Sequence, residues 1–194
     1  MQKAISVTLK KLLKQPYFTA AEARGFGVSS SRLAYYVNKG EIERISRGVY
    51  RGNASLRQEV PFEWEDLIST LHSIPKGRIC LISALALYDL TDEIPRQFWI
   101  AIPNQQFAPK RPKTKIIRMR DVKTGSTCIQ VNGIGIRTFS KERTIVDSFR
   151  YLPTEVAIKA LKKYLSDNPD LITLRKYSQK FRVSIEKYVE AFTL

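Results

Sequence analysis

Thr19-Ala-Ala-Glu-Ala-Arg-Gly-Phe-Gly-Val-Ser-Ser-Ser-Arg-Leu-Ala-Tyr-Tyr-Val-Asn-Lys-Gly40, followed by Glu41-Ile-Glu-Arg-Ile-Ser-Arg-Gly-Val-Tyr-Arg51, decides the fold of the N-terminal part. Thr19 precedes the helix-forming Ala20 to Arg24, and Glu22 stands three residues on, the spacing of a capping box. Gly25 and Gly27 stop this short helix. Ser29 is a second capping residue, residues 30–39 form the next helix, and Gly40 lies just past its end, where glycine terminates helices. Upstream, Ile5, Leu9, Leu12 and Leu13 recur at the spacing of one helical face, which Pro16 ends. Three short helices, the last two joined by a tight turn, are in helix-turn-helix order. Ile42 and Ile45 flank polar residues, Ser46-Arg-Gly48 supplies a turn, and Val49-Tyr50 resumes an extended segment. That predicts a two-stranded wing.

In this motif the second helix of the turn enters the DNA major groove with its N-terminal residues nearest the base edges. Leu33 and Val37, with Tyr36, are expected to pack on the first two helices. Ser29, Ser30, Ser31, Arg32, Tyr35 and Lys39 are expected at the DNA. Arg32 suits a bidentate contact with guanine, and the serines are tolerant hydrogen-bonding groups. The helix N-terminus offers backbone N–H groups to a phosphate. Arg44, Arg47 and Arg51 on the wing are expected to reach flanking phosphates or a minor groove. Winged-helix domains also serve as protein-contact modules, in which Tyr35 and Tyr36 are core and Ser29 is only a cap. No acidic residue lies between Val28 and Lys39, which favours DNA.

The whole chain is basic. It has 194 residues, with 33 Lys plus Arg against 18 Asp plus Glu, one histidine, and 43% hydrophobic residues, enough for a core. The net charge is +8 over residues 1–57, −4 over 58–104, +6 over 105–120 and +5 over 121–194. The sign change near residue 57, with the linker-like Arg51-Gly-Asn-Ala-Ser-Leu-Arg57, predicts a domain at 1–54 and a second at 58–194. The longest apolar run, Ile79–Leu87, is too short to span a bilayer, and Met1-Gln-Lys does not open a signal peptide. Cys80 and Cys128 stand alone, as in a reduced cytoplasmic protein. One histidine and two separated cysteines leave no thiolate or imidazole zinc cluster, so neither metal nor cofactor is expected. A polyanionic partner is the expectation from charge.

The stretch from Phe18-Thr-Ala-Ala-Glu-Ala through Ser31-Arg-Leu to Gly40-Glu-Ile-Glu-Arg-Ile-Ser-Arg-Gly-Val-Tyr50 resembles the N-terminal domain of AbiEi-type antitoxins, the antitoxin halves of bacterial type IV toxin–antitoxin and phage-abortive-infection systems. Ile82-Ser-Ala-Leu-Ala-Leu-Tyr-Asp-Leu90, Phe98-Trp-Ile-Ala-Ile102 and Ser140-Lys-Glu-Arg-Thr-Ile-Val-Asp147 are similar to later segments of that family. The resemblance implies a DNA-binding repressor that autoregulates its operon by binding operator DNA upstream of it. It also implies a C-terminal domain that counters a nucleotidyltransferase-like toxin without requiring a stable complex. The alternatives are a winged-helix regulator without a toxin partner and a metal-dependent nuclease.

Residues 58–194 read as an α+β domain, a small and mostly antiparallel sheet followed by helices. Phe98–Ile102, Lys115–Arg120, Cys128–Val131 and Ile134–Phe139 are the strands, with Asn132-Gly133 a hairpin turn signal. Ser140 caps a helix over 141–151, Pro153 opens another, and two more follow near 170–180 and 184–193. Between Pro103 and Pro112 lies a proline-rich basic loop. Its Lys110 and Arg111, with Lys113 and Lys115, belong either to a charge-protected strand edge or to an auxiliary nucleic-acid contact. No enzyme is expected. His72 sits beside Leu71 and Ile74 as a structural or solvent-facing residue, and no P-loop, dinucleotide or nucleophile-elbow motif is present. Asp89, Asp92, Glu93, Glu142 and Asp147 gathering around Mg²⁺ is what the nuclease alternative would need.

Overall fold

The computed structural model describes residues 12–13, 15, 17–52, 62–108, 110–131 and 134–193. The chain divides into two compact units, residues 1–75 with 130–135, and residues 76–129 with 136–194. The expected first helix lies mostly outside the described residues, although Leu12 and Leu13 are helical. Pro16, the linker 53–57, Pro61 and the Asn132-Gly133 turn are outside them too.

In the first unit, helix α1 (Ala20–Gly25) starts at the expected capping box. Thr19 Oγ1 accepts from the Glu22 N–H at 3.1 Å, and the Thr19 N–H donates to Glu22 Oε2 at 2.6 Å. The chain reverses at Gly27 (φ +75°), where the Gly27 N–H donates to Arg24 O and the Val28 N–H to Ala23 O. Helix α2 (Ser30–Asn38) ends the same way. Gly40 (φ +69°) donates to Val37 O, and Glu41 to Tyr36 O. These paired bonds satisfy the last carbonyls of each helix and need a left-handed residue, which glycine adopts at little cost. Gly25 therefore stays helical, and Gly27 does the stopping.

Strands β1 (Phe18–Thr19), β2 (Ile42–Ser46) and β3 (Val49–Gly52) form an antiparallel sheet in the order β1-β3-β2. Phe18 and Tyr50 are register partners whose rings stack at 5.7 Å, a cross-strand pair that pins the sheet. Leu12, Phe18, Ala23, Val28, Leu33, Tyr36, Ile42 and Tyr50 make one core, with Leu13, Ala20 and Val37 packed at its margin. Each fully buried Leu or Phe in such a core stabilises it by about 1.5–3 kcal/mol.

Helix α3 (Phe62–Ser73) packs on the three strands and belongs to this unit. Leu67, Ile68 and Leu71 are buried, and His72 stacks on Tyr17 at 5.4 Å. The boundary expected between residues 54 and 58 falls among residues outside the described set.

The second unit is α+β. Strands β4 (Arg78–Ile79), β5 (Phe98–Pro103) and β6 (Thr114–Met119) form a mixed sheet in which β4 and β5 are antiparallel and β5 and β6 are parallel. Residues 104–113 join the two parallel strands, so this connection crosses over instead of turning back as a hairpin. Helix α4 is Leu81–Leu87. Strands β7 (Ser126–Val131) and β8 (Ile134–Phe139) pair with each other, and their residues 130–131 and 134–135 count with the first unit.

Helices α5 (Lys141–Tyr151), α6 (Thr154–Leu165), α7 (Leu171–Phe181) and α8 (Glu186–Thr193) follow, with Ser140 capping α5 and Asp170 capping α7. Ile82, Leu85, Ile145, Val146, Leu161, Tyr164, Leu174 and Val189 are among their shared core. Arg143 is fully buried beside it. Its guanidinium donates to Asp147 Oδ2 at 2.8 Å, to Thr124 O at 2.8 Å and to Asp121 O at 3.0 Å, and lies 3.9 Å from the Phe181 ring centre.

Candidate nucleic-acid interface

The first unit's outward face is built on α2. Leu33 and Tyr36 turn into the core and Val37 lies at its margin, which rotates Ser30, Ser31, Arg32, Tyr35 and Lys39 to solvent. Tyr35 is 53% exposed, so the reading in which it is core is set aside. Its ring packs edge-on to Tyr36 at 5.5 Å, and Lys39 Nζ lies 5.5 Å from its centre. These contacts order a tyrosine and an ammonium on the same face. Ser29 caps the helix, its Oγ accepting from the Arg32 N–H at 3.3 Å. Ser29 and Ser31 share a hydrogen bond at 3.0 Å.

Two further residues outside the expected set are exposed in this unit. Asn38 is exposed, three residues after Tyr35, the spacing of one helical face. Its amide is suited to adenine. Phe26 is 45% exposed in the turn between the helices.

On the wing, Arg44 and Arg47 are exposed. Arg51 is not. Expected at the DNA, its side chain is 18% exposed and donates to Glu43 Oε2 at 2.8 Å and to Glu65 Oε1 at 2.6 Å. Burial opposes the Arg51 charge, but the bonds to Glu43 and Glu65 outweigh it and raise the pKa above the ordinary guanidinium value. Its two terminal nitrogens are used within the unit, so it is a structural residue.

In the second unit, Lys110, Lys113 and Lys115 are exposed and Arg111 is half-buried. Lys115 Nζ lies 3.8 Å from the centre of the Trp99 ring.

The carboxylates of the nuclease alternative are spread among other contacts. Asp89 and Asp92 pair with Lys163, Glu142 accepts from the Tyr164 hydroxyl, and Asp147 is held by Arg143 and Arg150. Among the described residues no group of three or more His, Cys, Asp or Glu side chains is placed to hold a metal ion. No described helix is long and apolar enough to cross a membrane.

Helix, glycine turn, exposed helix and two-stranded wing define a winged helix-turn-helix domain. Residues 8–51 match the family model described as a transcriptional regulator, AbiEi antitoxin, the family that the sequence of this stretch resembles. No curated protein matches the chain in sequence.

Proposed function

We propose that this protein is a cytoplasmic, non-enzymatic repressor and antitoxin that binds double-stranded DNA upstream of its own operon. The observation that carries this reading is the outward face of α2. Ser30, Ser31, Arg32, Tyr35, Asn38 and Lys39 are exposed together on a helix with no acidic residue. In a winged helix this is the element that enters the major groove. Arg32, in the first turn, is placed to read guanine, and the exposed wing residues Arg44 and Arg47 supply phosphate contacts. The partner in function is a nucleotidyltransferase-like toxin, countered by the second unit without a stable complex.

The family match ends at residue 51, so the toxin-directed role is supported by the resemblance of residues 82–90, 98–102 and 140–147. A promoter fusion carrying the native upstream DNA tests repression, which expression of this protein should lower and Arg32→Ala should restore. Co-expression with the neighbouring gene tests the antitoxin role. Growth arrest that this protein relieves supports it, and arrest that persists leaves a winged-helix regulator.

A further inference from the structure

We infer that the loop joining β5 to β6 is a binding site for single-stranded nucleic acid, separate in ligand class from the duplex proposed for α2. Residues 105–120 carry Lys110, Arg111, Lys113, Lys115, Arg118 and Arg120 and no acidic residue. Among the described residues, the ion pairs of the molecule include none of Lys110, Lys113, Lys115, Arg118 and Arg120. Cations without internal counter-charge keep their attraction for an external polyanion.

Two features choose among polyanions. Phe107 is 82% exposed in the middle of this loop. The backbone beside it is anchored, because Arg118 donates from one guanidinium nitrogen to Asn104 O at 2.6 Å and to Gln106 O at 2.8 Å. At the far end the Phe98 N–H donates to Lys113 O at 2.6 Å. The loop therefore presents a phenyl ring to water next to anchored backbone, and Lys115, on the strand that follows the loop, holds its ammonium over Trp99. A duplex keeps its base faces stacked inside, out of reach of such a ring. An acidic polypeptide answers the charge but gives Phe107 no base to stack on. A single strand supplies both phosphates and open base faces, and ring plus cations is how proteins bind it without sequence preference. RNA and single-stranded DNA share this chemistry and differ in the 2′-hydroxyl.

The test is fluorescence anisotropy of the full-length chain with a labelled RNA of about twelve nucleotides, the same sequence as single-stranded DNA, and the corresponding duplex. Wild type should bind the single strands. Phe107→Ala should weaken that binding about tenfold while leaving duplex binding and Tm unchanged, and Phe107→Trp should retain it. Replacing Lys110 and Lys113 by Gln should lower the single-strand salt slope by about 0.7 per charge. Arg32→Ala should leave single-strand binding intact, which separates this site from the operator site. Tighter binding of RNA than of DNA would add a 2′-hydroxyl contact, and equal binding would mean that rings and phosphates suffice. Either fits the site. Absent single-strand binding in the wild type, unchanged affinity in Phe107→Ala, equal loss on the duplex, or displacement by polyglutamate as effective as by unlabelled RNA would overturn it.

Discussion

Arg51 Nη1 donates to Glu65 Oε1 at 2.6 Å, tying the last strand of the wing to the helix that follows it. With Glu43 on the other nitrogen, the guanidinium is clamped between two carboxylates. Arg51→Ala should destabilise the first unit by about 1–2 kcal/mol, since hydrogen bonds to charged groups are the stronger kind and this pair is partly exposed. Urea unfolding of wild type, Arg51→Ala, Glu65→Gln and the double variant measures it. The two single changes should be non-additive, and the salt slope of DNA binding should stay that of the wild type.

Arg51 also shows what a sequence can and cannot reveal. The capping box at Thr19 and Glu22, the Ser29 cap and the Gly40 stop were legible because each is chemistry within a few residues. The exposed face of α2 followed from helical spacing. Arg51 read as one more wing arginine because its partner Glu65 lies fourteen residues on, in an element whose docking no local pattern encodes. The parallel pairing of β5 with β6 was hidden for a similar reason, since apolar strands of either direction look alike. Asp147 was open to better reading. Arg143 stands four residues before it and Arg150 three after, the helical spacing of ion pairs.

Arg143 is the most buried charge of the second unit, and its removal leaves Asp147 in a dry site with Arg150 as its remaining ion-pair partner among the described residues. Arg143→Met should cost about 3–5 kcal/mol. Gly125→Ala should also destabilise, because Gly125 has φ +65° and an added Cβ would stand 2.7 Å from Arg143 Cβ. Thermal unfolding followed by circular dichroism reads both. A midpoint within about two degrees of wild type for Arg143→Met would show that the guanidinium is dispensable.

Acid should weaken the second unit through Asp121. Burial favours its protonated form, but bonds from the Thr124 hydroxyl, the Thr124 and Lys123 N–H groups and Lys180 outweigh this and hold its pKa well below the ordinary carboxylate value of 3.8. The unfolded chain therefore takes up the proton first. The stability this gives is present above pH 3.8 and is lost as pH falls below it towards the depressed value. Asp121→Asn should lose less stability than wild type as pH falls through 3.8 and below it. Equal losses in the two proteins, by urea midpoint, would remove Asp121 from the acid response.

The exposed wing arginines should act differently from Arg32. Arg44→Ala and Arg47→Ala should each weaken binding to all duplex sequences alike and reduce the salt slope by about 0.9. Mobility shifts at several salt concentrations, on native upstream DNA and on an unrelated duplex, measure it. A slope unchanged from wild type would take the wing off the phosphates.

The most direct measurement is the affinity of the full chain for the DNA upstream of its own gene, wild type against Arg32→Ala, with unrelated duplex as competitor. A winged-helix repressor reading bases through α2 binds that DNA selectively. It loses about 1–3 kcal/mol on Arg32→Ala, with its weak affinity for the competitor little changed. Equal affinity for upstream and unrelated DNA, or an Arg32→Ala variant that binds the upstream DNA as tightly as wild type, would contradict it.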